Sequence, residues 1–197
     1  LRTSFNVPFT FPVCPVNAFT IPIFNSLVYR KVYPSDALIH LYDFNFKLDK
    51  VKNWNRIYGK NGFIQYQCLI PKSARTAEFV QHVMQFLTDH DVLSSLVVVK
   101  MHKKDKSGYL SFSQDGISIA MDFPYTPHTV SILRKLTPWV MEIGGRLYLT
   151  KDRTMNYEQF HEMYRLEIRK QRNVLSKVDP RKLMQSELTK RLKIHHE

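Results

Sequence analysis

The sequence predicts an α+β fold: an antiparallel sheet of split βαβ (ferredoxin-like) type, two helices on one face, and a C-terminal helical tail. Two observations predict it. Residues 62–149 alternate between stretches of period-two and of helical hydrophobic spacing in the order β-α-β-β-α-β. Two further helical stretches then follow Lys151 with no strand between them.

Phe63 to Ile70 alternates between Gly62 and Pro71 and reads as a strand, with Gln65 and Gln67 on one face and Tyr66 and Cys68 on the other. Thr76 to His90 places Phe79, Val83, Phe86 and Leu87 at helical spacing, and Leu93 to Val99 is β-branched and apolar, a buried strand. Lys100 and His102 then stand at its exit. A hairpin-like pair follows, in which Tyr109 to Phe112 alternates after a polar turn. Ile117 to Phe123 sets Ile117, Ile119 and Met121 against Ser118, Ala120 and Asp122. Thr129 to Ile143 is a helix interrupted or kinked at Pro138. Gly144 and Gly145 close it, Arg146 to Leu149 is the last strand, and Lys151 sits at its end where the next helix must begin. Asn156 to Gln171 and Pro180 to Ile194 complete the tail.

Residues 1–47 are rich in aromatics and proline without a helical period and predict an extended wall; residues 48–150 carry the sheet and 151–197 the tail. The longest uncharged apolar tract, Val7 to Tyr29, is broken by Pro8, Pro12, Pro15 and Pro22, which forbids a spanning helix. No signal peptide is read, and the expected location is cytoplasmic or peripheral at the inner membrane. Leu1 stands where a start would have Met, so the amino end is expected to be an internal cut.

The chain has 29 Lys+Arg against 17 Asp+Glu, a net charge of +12, which suits an anionic partner: a membrane surface, a phosphorylated or lipid-linked ligand, or nucleic acid. Half of that excess lies between Arg165 and Glu197, where ten Lys/Arg face four Asp/Glu. Cys14 and Cys68 fit no metal or redox spacing and read as free thiols, and His161-Glu162 lacks a second histidine, so no metal site is expected. With six glycines and no GxGxxG or Walker loop, the chain has no phosphate cradle of its own.

Several separated motifs stand in one order: Leu48-Asp49, Trp54 to Gly59, Gly62 to Gln67 with Pro71, Asp122-Phe123-Pro124, Gly144 to Asp152, Phe160-His161 with Met163-Tyr164, and Asp179-Pro180. Together they resemble the FAD-linked oxidases of the vanillyl-alcohol-oxidase superfamily, in particular the decaprenylphosphoryl-ribose oxidase-like branch, over roughly residues 20–195. The resemblance implies an FAD-dependent oxidoreductase that oxidises a secondary alcohol of a sugar, sugar lactone or polyprenyl-phosphoryl sugar by hydride transfer. It implies that residues 48–150 are the substrate-binding domain and that FAD is held mainly by an N-terminal domain outside this chain, on which residues 151–197 would pack. The same resemblance puts Lys151 at the flavin edge as the catalytic cation, with Tyr148 beside the cofactor. Gln67, Lys100, His102, Ser118 and Asn45 would bind substrate. Around Asn45-Phe46-Lys47 the chain departs from the branch, which has an aromatic and a proline there.

A rival reading is a non-enzymatic ligand- or nucleic-acid-binding module on the same sheet. RNA-binding sheets carry aromatics on two central strands. The corresponding strands here read Gln65-Tyr66-Gln67-Cys68 and Val97-Val98-Val99-Lys100, without that pattern, which disfavours nucleic acid.

Overall fold

The computed structural model describes residues 5–31, 38–42, 50–73, 75–105 and 108–195. Asn45 and the Leu48-Asp49 pair fall outside the described residues.

The fold is α+β around one four-stranded sheet. Its strands are β3 (Phe63–Pro71), β4 (Leu96–His102), β5 (Gly116–Pro124) and β6 (Arg146–Leu147), in the spatial order β4-β5-β3-β6 with each pair antiparallel. Helices α2 (Thr76–Asp89) and α3 (Pro127–Glu142) connect β3 to β4 and β5 to β6. Their apolar sides, with Val83 and Leu87 from α2 and Ile132, Leu133, Leu136 and Val140 from α3, share one core with Ile64, Tyr66, Cys68 and Ile70 of β3 and Ile119, Met121 and Phe123 of β5. In β3 and β5 that core takes every second side chain. The alternate side chains form a second, polar face.

Backbone contacts explain two glycines. A Cβ on Gly116 would lie 2.2 Å from the Ile70 carbonyl oxygen, so only glycine lets β5 begin beside the end of β3. Gly144, at φ 70°, turns the chain out of α3, and the amides of Gly144 and Gly145 bond back to Met141 and Val140 at 2.8 Å, closing the helix as its sequence predicts. α3 runs through Pro138 without ending, and the Thr137 hydroxyl donates to the Leu133 carbonyl one turn back.

Five expectations are corrected. β4 starts at Leu96 and runs to His102, because the Ser94 hydroxyl bonds the carbonyls of Leu96 and Asp122 and closes the entry, while Lys100, Met101 and His102 ladder with Ser118, Ile117 and Gly116. Lys100 and His102 are therefore on the strand and not beyond it, and the strand is not buried as expected: Val97, Val99 and Met101 are 42–89% exposed, because no core residue packs on that side of it. Tyr109 to Phe112 is a turn, with the Ser111 amide bonded to the Gly108 carbonyl.

The last strand stops at Leu147, so Lys151 lies in a turn four residues on, where its amide bonds the Tyr148 carbonyl. The tail breaks into α4 (Tyr157–Met163), α5 (Arg165–Val178) and α6 (Glu187–Arg191). Tyr164 leaves helical geometry because its buried hydroxyl donates to the Leu147 carbonyl. The Asp179 carboxylate caps a turn by accepting the Leu183 and Met184 amides at 2.9 Å.

The aromatic wall, finally, contains a helix, α1 (Thr20–Tyr29). Asn17 accepts the Phe19 and Thr20 amides and starts it, and Pro22 falls in the first turn, where its missing N–H is not needed. Ahead of the sheet, β1 (Phe5–Asn6) pairs in parallel with β2 (Val51–Lys52), and Arg56 of the 3-10 turn Trp54–Tyr58 donates to the Val7 and Pro8 carbonyls.

Candidate active site

The sheet face away from α2 and α3 carries the polar residues. Strand register sets Gln65 opposite Asp122, Gln67 opposite Ala120, Leu69 opposite Ser118, and Ser118 opposite Lys100. Opposite residues in an antiparallel pair point to one side. Gln65, Gln67, Ser118, Asp122, Lys100 and His102 thus share a face, with the small Ala120 between the two ends. From Asp122 to Ser118 is four residues of strand, about 13 Å.

At one end a chain of polar contacts crosses three strands. Gln67 Nε2 donates to Ser118 Oγ at 3.3 Å, Ser118 Oγ lies 2.8 Å from His102 Nε2, and His102 Nδ1 lies 3.4 Å from Ser113 Oγ. With the proton of a neutral imidazole on Nδ1 the chain runs one way, each hydroxyl accepting from one neighbour and donating to the next. Phe112, 7% exposed, covers this end, with its ring edge-on to His102 at 5.8 Å and 4.9 Å from Tyr148. Tyr148 is fixed in turn by its amide, which donates to the Gln67 carbonyl at 2.9 Å. Lys100 stays exposed and makes no ion pair among the described residues.

The other end holds a buried carboxylate. Asp122 is 4% exposed and accepts from Gln65 Nε2 at 2.7 Å. Burial raises its pKa above the ordinary aspartate value, against the Gln65 hydrogen bond and the charge of Lys151, both of which pull it down. The Lys151 ammonium is therefore close enough to act on Asp122, yet the two make no direct ion pair among the described residues.

The next residue anchors the lysine. Asp152, its side chain 1% exposed, accepts the amides of Thr154 and Met155 at 3.0 Å and pairs with Arg191 at 2.9 Å, while Arg191 also bonds the Asp152 and Met155 carbonyls. The lysine turn is thereby tied to α6 at the far end of the chain.

Of the residues singled out in the sequence, Gln67, Ser118 and His102 are in mutual contact. Tyr148 flanks them, Lys100 shares their face, and Lys151 belongs to the Asp122 end. Asp122 and Gln65 were missed as site residues. Asp122 had a signal, being the lone charge of a nine-residue strand on the same side as Ser118. Phe112 and Ser113 had none, since the alternation read over Tyr109 to Phe112 falls on a turn and does not tell which way they face.

No group of three or more His, Cys, Asp or Glu side chains able to hold a metal occurs among the described residues. For a flavin the fit is partial. Lys151, Tyr148 and the polar face suit one edge of a planar, hydrogen-bonding ring, whereas no glycine-rich loop in the sequence would cradle a pyrophosphate.

No protein-family model matches the chain. Among curated proteins it is 32% identical over 190 residues to the decaprenylphosphoryl-beta-D-ribose oxidase of Mycolicibacterium smegmatis; the match takes in 95% of this chain and 40% of that protein. The chain spans about two fifths of its relative's length. The motifs that suggested the branch lie within a match of nearly the whole chain, and the chain belongs to the decaprenylphosphoryl-beta-D-ribose oxidase-like family of FAD-linked oxidases.

Proposed function

We propose that this chain forms the substrate side of an FAD-dependent oxidoreductase that converts a secondary alcohol of a polyprenyl-phosphoryl sugar to a ketone. The observation that carries the reading is the single polar sheet face bounded by Lys151 and Asp122 at one end and by His102 and Lys100 at the other. FAD, when bound, would accept the hydride. Lys151 would set its positive charge against the edge of the ring where negative charge collects, an arrangement that favours the charge-separated transition state over the ground state. Gln67, oriented by Ser118, and His102, oriented by Ser118 and Ser113, would hold the sugar hydroxyls. Lys100 would meet the phosphate as an exposed point charge. Asn45 is proposed to complete this wall, as the family resemblance implies.

The bulk of the dinucleotide would be held by a separate FAD domain of the same enzyme. The outward side of the tail suits such a partner: Leu166, Val178, Leu183 and Met184 are 66–76% exposed, while Phe160, Met163, Tyr164, Ile168, Leu192 and Ile194 are buried in the core of this chain.

Anaerobic reduction of the full-length protein by a polyprenyl-phosphoryl pentose, followed by flavin absorbance, tests the reading. Lys151→Met keeps the apolar stem and removes the charge, and should slow reduction by about two to three orders of magnitude, the loss typical of one preorganised electrostatic partner. Lys151→Arg should restore only part, because a planar fork does not replace a compact ammonium. Reduction of Lys151→Met at the unaltered rate would make the lysine a surface charge and remove the reading's central support.

A further inference from the structure

We propose that α1 and the apolar residues around it form a docking surface for an anionic lipid bilayer. The surface stands on the helix itself, goes beyond the proposed oxidation, and needs no lipid-linked substrate to be tested.

None of the ten residues of α1 is buried and none joins the core. Ile23, Phe24, Leu27 and Val28, which helical spacing gathers on one side, are 47–68% exposed, and Phe19 and Tyr29 at the two ends are 76% and 93% exposed. Leu38, Ile39 and Leu41, beyond the helix, are exposed to 58% or more. An unpartnered apolar surface of this extent marks a site for a partner or a membrane.

The charges say which. From Phe5 to Tyr29 there is no Asp, Glu, Lys, Arg or His. A protein-docking patch has an apolar centre with a polar, charged rim around it. Here the charge is absent along 25 residues and returns at one end with the exposed Arg30, next to the exposed phenol of Tyr29. Apolar side chains entering the acyl boundary, an aromatic at head-group depth, and cations against anionic head groups are the layout of an interfacial helix. The chain's net charge of +12 acts in the same direction. At ten residues α1 is about 15 Å long, enough to lie in the interface and too short to span it.

The experiment uses the full-length protein and vesicles of phosphatidylglycerol mixed with phosphatidylcholine, compared with pure phosphatidylcholine, in co-sedimentation. Expected is binding to the anionic vesicles, weakened at least tenfold by Phe24→Ser with Leu27→Ser, and weakened by Arg30→Gln only on the anionic vesicles. Because the altered side chains lie outside the core, circular dichroism should be unchanged. A second readout places a fluorophore in the helix. Measured as the difference from the parent, which already has Trp54 and Trp139, the emission added by Val28→Trp should be that of an exposed indole without lipid, shift to the blue with vesicles, and be quenched by lipids brominated on the acyl chain. Vesicle binding that ignores the serine pair would overturn the proposal. So would an indole already blue-shifted without lipid, which would mean that another part of the protein or a second copy covers the helix.

Discussion

Burial holds the Asp122 carboxyl above the ordinary aspartate value even though Gln65 and the charge of Lys151 work against it. Such a group keeps its proton in the folded chain at a pH where the unfolded chain has already lost it. Folding stability therefore falls as pH rises from the ordinary aspartate value through the raised one, and the cost persists at neutral pH. Asp122→Asn removes that slope. At pH 7 it should melt higher than the parent, and the gain should vanish at a pH below both values; scanning calorimetry across pH measures it. The same variant should reduce flavin in the full-length enzyme at least about tenfold more slowly, as expected for losing one charged hydrogen-bonding partner worth about 1.5–3 kcal/mol. A residue that is costly to fold and needed for turnover belongs to a site.

The thiols make a second residue-scale case. Cys68 is wholly buried and burial pushes its pKa up to about 12, whereas Cys14 is half-buried and both are free. A thiol reagent should therefore label one cysteine in the native protein and two after denaturation. Two labels in the native state would show that β3 opens. Cys68 was legible as a core strand residue from its alternation with Gln67, the same alternation that put Gln65 and Gln67 on the outer face.

At the scale of elements, strands flanked by helices were legible because two periods, two and 3.6, seldom imitate each other. β3, β5, α2 and α3 lie within a few residues of their predicted bounds for that reason. The elements that differ are those whose limits come from side chain to backbone bonds: Ser94 at the start of β4, the Tyr164 hydroxyl between α4 and α5, and Asn17 ahead of α1. No hydropathy pattern records such bonds. The site shows the same split, since the sheet register brings Gln67, Ser118 and His102 together, while the alternation up to Phe112 falls on a turn and places neither Phe112 nor Ser113.

The turn that carries Lys151 depends on a bond of this kind. Removing the guanidinium in Arg191→Ala leaves the Asp152 carboxylate buried with only hydroxyl and amide donors, and frees the carbonyls of Asp152 and Met155. The arginine side chain is 32% exposed, so water replaces part of what is lost, and a cost of about 1–3 kcal/mol is expected. Hydrogen exchange should quicken at Thr154 and Met155, whose amides bind that carboxylate, and stay unchanged in β5. Uniform quickening would mean that α6 supports the whole fold rather than this turn.

Across the whole molecule, one sheet separates two environments. On one side the helices and the tail close a continuous core that reaches from Ile64 to Ile194; on the other lies a polar face on which Ser118 and Asp122 are buried while Gln65, Gln67 and Lys100 keep contact with solvent. In the proposed function this face holds one edge of a flavin and the hydroxyls of a sugar. The sequence carries no glycine-rich turn of the kind on which, with helix N-termini, the two phosphates of dinucleotide sites rest and which contributes much of the affinity. The 197-residue chain by itself should therefore purify without stoichiometric FAD, and added FAD should bind it no better than free flavin mononucleotide does, since the adenylate half gains no contact. Fluorescence titration of the two ligands compares them directly. A chain that bound FAD tightly, and in preference to flavin mononucleotide, would hold the pyrophosphate itself, and the proposed division between a phosphate-binding domain and this substrate-side domain would fail.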